Sequence, residues 1–261
     1  MNIPRHPSPR PANQAGTVVK ALEVLNLLGE HPAGVTAAEM ARETGHPFST
    51  CYRLLATLVG TGYASYDAAD KRYHLGLRVF RLAHAVAAHQ GFEGSAAPVL
   101  HRLTEQTQES SVLHVLDGDA ALTVHKEDGP QFRTTTDPGD RAPLHSTASG
   151  KILLAFSEPQ LRERLTQEID LTPRTPHTVT DRAELERQLA AAQERGWTSQ
   201  SEEQDPGMVA IAAPVLAPSG RLLGAVTLAA PLFRRTARQL EEHIPALLEA
   251  TRELGLVLPS R

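Results

Sequence analysis

Cysteine is nearly absent. The 261 residues hold one, Cys51, so the chain can form neither an internal disulfide nor a cysteine-based zinc site. Aromatic residues make up only 4%, so a ligand pocket is expected to be aliphatic and small rather than an aromatic cage. No apolar run resembles a membrane span or a secretory h-region, and a cytoplasmic protein without a membrane partner is expected. No internal repeat is present. The rest of the composition, 41% hydrophobic and 21% charged, is that of an ordinary globular chain long enough for two domains. Its net charge of −4 is unevenly spread. Residues 1–89 carry 9 Lys/Arg against 6 Asp/Glu, net +3, and residues 90–261 carry 17 against 24, net −7. A mildly basic head on an acidic body fits a nucleic-acid reader joined to something else. Without Arg5 and Arg10 of the tail, the excess in the head falls to +1.

Residues 1–16, with prolines at 4, 7, 9 and 11, are expected to be a disordered tail. Val18, Leu22, Leu25 and Leu28 then recur at helical spacing. After the turn at 31–34, Thr36 and Glu39 form a capping box for a second helix that stops at Gly45. Pro47 opens a third. In that third helix Cys51, Leu54, Leu55 and Leu58 make a buried stripe, while Ser49, Arg53 and Thr57 share another face. A face of two hydroxyls and a guanidinium, with no acid, suits phosphates and base edges. Short strands at 63–66 and 72–75 around the turn 67–71 complete a winged helix-turn-helix over 17–76. Ser49, Thr50, Tyr52 and Arg53 are expected at the major groove, with Lys71 and Arg72 holding phosphates from the wing.

An amphipathic stretch, with Leu77, Phe80, Ala83 and Ala87 in register, reads as a linker helix over 77–92. The remainder, 93–261, mixes helices and strands. Helices are expected at 98–109, 147–156, 158–165, 181–195 and 236–256, and strands at 112–116, 121–126, 132–136, 197–202, 209–215 and 222–228. The fold class is therefore α+β, an antiparallel sheet with packed helices.

One segment of this body invites a ligand. Pro143-Leu-His-Ser-Thr-Ala-Ser-Gly-Lys151 runs from a loop into a helix that Ser146 or Thr147 can cap. The amides of Ala148, Ser149 and Gly150 would then face a carboxylate or phosphate, with Gly150 allowing close approach. An ordinary capped helix start is the competing reading. The segment is neither a phosphate-binding loop, because His145 and Ile152 stand where Gly and Ser/Thr are needed, nor a Ser-x-x-Lys nucleophile, because Ala148 precedes Lys151 by three. None of the twelve histidines forms a metal-binding pair of helical spacing, so neither metal nor cofactor is expected. A hydrolase-like enzyme using Ser149 or the acids Glu202 and Glu203, with the winged head as accessory, is the rival reading. A scaffold dimerising through the linker helix is a third.

Ordered motifs from about Thr17 to Leu256 resemble the IclR family of bacterial transcription regulators. They are Ser-Thr-x-x-Arg-Leu-Leu at 49–55, Gly62-Tyr63, Tyr73-x-Leu-Gly76, Pro143-x-His-x-x-Ala-x-Gly-Lys151, Arg195-Gly-Trp197, Glu202-Glu-x-x-x-Gly207, Ala213-Pro-Val215 and Gly220. The resemblance implies a GAF-like effector domain after the linker and homodimers, often paired into tetramers. It also implies pseudo-palindromic operators on double-stranded DNA and a small organic acid as effector. It marks Ala148, Ser149 and Gly150 for the effector's acid group, with Gln200, Ala210, Thr227 and Ala229 as lining. Positions 200, 210 and 229 are often Asp, Cys and Ser in small-acid sensors. Gln, Ala and Ala here favour a bulkier, partly apolar acid. Phe48 replaces a common Lys and removes a phosphate contact.

Overall fold

The computed structural model describes residues 16–259. They divide into two compact units between Val86 and Ala87.

The first unit begins with three helices, α1 (Gly16–Glu30), α2 (Ala37–Thr44) and α3 (Phe48–Gly60). Thr36 and Glu39 cap α2 reciprocally, and Gly45 ends it at φ 69°, a left-handed value that glycine adopts without strain. Val24, Leu28, Met40, Cys51, Leu54, Leu55 and Leu58 close the core between the helices. The hairpin β1 (Ala64–Asp67) and β2 (Arg72–Leu75) follows, and Tyr73 of β2 also bridges to Val35 ahead of α2. The wing is thus bonded into the helical body. The division between the units falls within α4 (Leu77–Gln90).

The second unit has one six-stranded sheet, ordered β5-β4-β3-β8-β7-β6 and antiparallel throughout. The strands are β3 (Ser110–Asp117), β4 (Ala120–Glu127), β5 (Arg141–Pro143), β6 (Thr198–Ser201), β7 (Met208–Leu216) and β8 (Leu222–Pro231). A five-residue π-turn, Phe92–Ala96, leads into α5 (Ala97–Thr107). The expected strand at 132–136 does not form. The third strand of that edge is β5, where Ala120–Leu122 pair with 141–143, while Phe132 only lends its carbonyl to the Ser110 hydroxyl. The expected single C-terminal helix is two, α9 (Ala237–Glu241) and α10 (Ile244–Val257), interrupted before Pro245, which takes the first turn of α10.

Side-chain size separates the two sheet faces. Val209, Ile211 and Val215 of β7, with Val226 and Leu228 of β8, pack against α5 and α10. Ala210, Ala212, Ala225 and Ala229 alternate with them and face α6 (Ala148–Phe156). Small residues on that face let α6 lie close to the strands. Helices α7 (Pro159–Glu168) and α8 (Arg182–Arg195) cover α6 from outside.

Candidate DNA interface and effector site

On α3 the two faces diverge as the spacing predicts. Cys51 and Leu55 are fully buried, whereas Ser49, Tyr52, Arg53 and Thr57 are exposed and Thr50 is half-buried. Phe48 stacks on Tyr52 with ring centroids 6.3 Å apart, so an aromatic pair stands where a cation was expected to be missed. Thr57 donates to the Arg53 carbonyl at 2.9 Å, which leaves that hydroxyl committed to its own helix. Among the described residues the Arg53 guanidinium has no ion pair or hydrogen bond. The first turn of α3 lacks a side-chain cap, and the amides of Phe48 and Ser49 have no partner among the described residues.

The wing requires a correction. Lys71 sits exposed at φ 59° in the turn. Arg72 instead turns back into the head. Its guanidinium donates to the Gly34 carbonyl at 2.7 Å and to both oxygens of Glu39 at 3.1 and 3.4 Å. The Glu39 carboxyl is held below its usual range, chiefly by the Thr36 backbone amide and hydroxyl, with Arg72 adding to the effect. Arg72 is therefore a brace between wing and α2, not a free phosphate ligand.

In the second unit, Thr147 is the residue that caps α6, and its hydroxyl accepts the Gly150 amide at 3.0 Å. This corrects two expectations. Only the amides of Ala148 and Ser149 remain open among the described residues. Gly150 is required by the protein's own chain, because a Cβ there would lie 2.5 Å from Leu144 Cα. The neighbouring polar groups are engaged. Ser146 donates to Gln204 Oε1 at 2.6 Å, and the His145 ring meets the Thr172 carbonyl at 3.2 Å. Burial pushes the His145 imidazole below its usual pKa.

Sheet register places the expected lining. Gln200, Ala210 and Ala229 stand opposite one another on β6, β7 and β8, and Thr227 follows one residue pair along, opposite Ala212. Ala148, Ala210 and Ala229 share one apolar cluster. Gln200 accepts the Glu203 amide at 2.9 Å through Oε1, which leaves its NH2 end as a donor.

Sequence reasoning missed two features of this layer. Lys151, wholly buried, donates from Nζ to Glu203 Oε1 at 2.5 Å. Burial lowers the lysine's pKa and the glutamate opposes that shift. The pair pins α6 to the loop after β6. The second feature is polar. His114 and Thr123, paired directly across β3 and β4, are buried on the same sheet face, and burial alone pushes the imidazole down to about 4. Polar residues at inward positions of alternating strands were the available signal. A cleft of about 280 Å³ between α8 and β6 is lined by Arg187, Arg195 and Glu203, among others. It touches none of 148–150, 210, 227 or 229. Its arginines are occupied, Arg187 by Glu184 and Arg195 by the Trp197 ring. Among the described residues no three His, Cys, Asp or Glu side chains could hold a metal, and no helix is long and apolar enough to cross a membrane.

Residues 17–68 match the family described as "IclR helix-turn-helix domain", and residues 84–256 match "Bacterial transcriptional regulator IclR C-terminal". The chain belongs to the IclR family of transcriptional regulators. It is 34% identical over 243 residues to the HTH-type transcriptional regulator BhcR of Paracoccus denitrificans, covering 93% of this chain and 87% of that one. An IclR-type regulator from Alicyclobacillus acidocaldarius superposes with a TM-score of 0.82 at 27% identity, over 93% and 98% of the two chains. An IclR homologue from Microbacterium hydrocarbonoxydans, crystallised with 4-hydroxybenzoate, superposes with a TM-score of 0.75 at 25% identity, over 91% and 97%. This chain is accordingly a DNA-binding transcriptional regulator with a helix-turn-helix head and an α+β body.

Proposed function

We propose that this IclR-family regulator reads a pseudo-palindromic operator as a dimer and that a partly apolar organic acid, bound beneath the start of α6, changes its operator affinity. The observation that carries the effector half is the pair of open amides at Ala148 and Ser149, the first of them in the same apolar cluster as Ala210 and Ala229. Such amides at the positive end of a helix hold a carboxylate. The aliphatic floor supplies apolar area, and the related 4-hydroxybenzoate complex shows such an acid in a homologue. On the head, Ser49, Thr50, Tyr52 and Arg53 address the major groove, and Lys71 holds backbone from the wing. Exposed apolar residues on α1 (Val18, Leu22) and α4 (Leu77, Phe80, Val86) are what a dimer would cover.

The enzyme reading is disfavoured by Ser149. It lies in the first turn of α6 and has no imidazole or carboxylate bonded to it among the described residues, while Glu203 is engaged by Lys151. The test is operator selection from random duplexes, followed by affinity measurement with and without benzoates and linear C6 acids. The expected outcome is an inverted repeat whose affinity shifts about 5–150-fold with at least one acid. An affinity unmoved by every acid that the protein binds would refute the switch.

A further inference from the structure

Three polar atoms under α6 lack a hydrogen-bond partner among the described residues. His114 is 6% exposed, Thr123 1% and Thr227 6%. His114 Nδ1, Thr123 Oγ1 and Thr227 Oγ1 are each shut off from solvent and lack a hydrogen-bond partner. Register puts them together. His114 of β3 faces Thr123 of β4 on one side and Ala225 of β8 on the other, and Thr227 is the next residue of β8 on that same face. Their neighbours on the face, Ala121, Ala212 and Ala225, belong to the cluster that α6 covers, so the trio lies in the layer of the acid site. A buried polar atom without a partner costs stability, and three on one patch are hard to retain as packing accidents.

We infer that this trio is the distal end of the effector site and reads an un-ionised hydroxyl, so that the effector is a hydroxy-monocarboxylic acid whose hydroxyl lies remote from its carboxylate. This rests on the acid-binding reading above and specifies its ligand. The chemistry of the patch separates a hydroxyl from the alternatives. Two threonine hydroxyls and a neutral imidazole offer both donors and acceptors, which is what an O–H group requires. They offer no charge. The imidazole is neutral well below physiological pH because it is buried. The cation that α6 brings to the layer, Lys151, is taken by Glu203, whose second oxygen is itself buried and unpartnered. A second carboxylate at this patch would be desolvated without a cation to pair with it. A bare hydrocarbon end would leave the three polar atoms as they are.

The experiment compares six acids in two frames on the full chain. Benzoate, 4-hydroxybenzoate and terephthalate form one set, and hexanoate, 6-hydroxyhexanoate and adipate the other. Binding is read by calorimetry on the natural chain and on the double variant Thr123→Val/Thr227→Val. In at least one frame the hydroxy acid should bind about tenfold tighter than the bare acid, and more tightly still than the dicarboxylate. In the double variant that preference should fall below about threefold while the bare acid still binds. A second readout needs no ligand. Replacing an unsatisfied buried hydroxyl with an isosteric methyl should leave the Tm of the free protein unchanged or raised, whereas hydroxyls bonded within the fold would lower it. Equal binding of bare and hydroxy acids, a preference that survives in the variant, or a clear fall in Tm overturns this inference and leaves the acid site standing. Failure of all six acids to bind overturns both.

Discussion

The head and the body of this chain place their candidate contacts differently, the head outside its core and the body within it. On α3 the candidate DNA contacts point to solvent, and only the stripe opposite them, Cys51 to Leu58, is buried. Under α6 the candidate ligand contacts are buried or, at Ala229, half-buried, and even the lysine of the Gly-Lys pair is wholly buried. A surface that meets a preformed duplex can be built on one helix without disturbing the core. A site that must close around a small acid has to be built into the core, where every polar group needs a partner. Mutations should therefore separate by region. Changes in the head should alter DNA affinity with little loss of stability, and changes in the body should alter stability and ligand response together.

The sharpest way to break that contrast is Lys151→Met. It leaves Glu203 buried without its cation and should cost about 3–5 kcal/mol, read as a lowered denaturant midpoint. The double replacement Lys151→Met/Glu203→Leu should recover most of that loss, because the uncompensated charge goes with it. If the single variant unfolds at the natural midpoint, the ion pair does not hold α6 to the 202–207 loop. Acid is the next probe. Burial pushes the His114 imidazole from its ordinary 6.5 down to about 4, so between those values the unfolded chain binds the proton that the folded chain refuses. Stability present above pH 6.5 is then lost as pH falls toward 4, by an amount on the order of 3 kcal/mol. His114→Leu should flatten that slope in urea melts taken across the window. His145 and His243, shifted in the same direction by burial, supply what remains.

On the head, Arg53→Ala should weaken specific binding by about 1–3 kcal/mol with an unchanged melting profile, as measured by titration of operator and scrambled duplex in parallel. A comparable loss on both duplexes would move Arg53 from base edge to phosphate. The same contrast governs what could be read before the fold was known. Helical spacing exposed the α3 face directly, since a buried stripe at Cys51, Leu54, Leu55 and Leu58 defines its opposite. The capping box at Thr36 and Glu39 was legible for the same reason, because its partners are three residues apart. The body depended on pairings that sequence order does not reveal. His114 and Thr227 lie 113 residues apart in number and come to one sheet face only through the register of β3 on β8. Local chemistry also misled at Gly150, where a glycine that suits a ligand proved to be demanded by the backbone of Leu144. The strand expected at 132–136 failed because the edge of the sheet is completed by 141–143 instead.

The smallest expected effects fall on the wing, where two adjacent cations do different things. Lys71 is exposed and has no partner among the described residues, so Lys71→Ala should weaken natural and random duplexes alike and reduce the salt dependence of binding by about one unit of slope. Arg72 is already bonded to Gly34 and Glu39 at a site about one-third exposed. Arg72→Ala should therefore cost below about 1 kcal/mol of head stability and leave the salt slope where it was. Measuring both slopes decides the point. If Arg72→Ala flattens the salt dependence as much as Lys71→Ala does, the guanidinium leaves Glu39 for the phosphate when DNA is bound. The brace would then be a feature of the free protein alone.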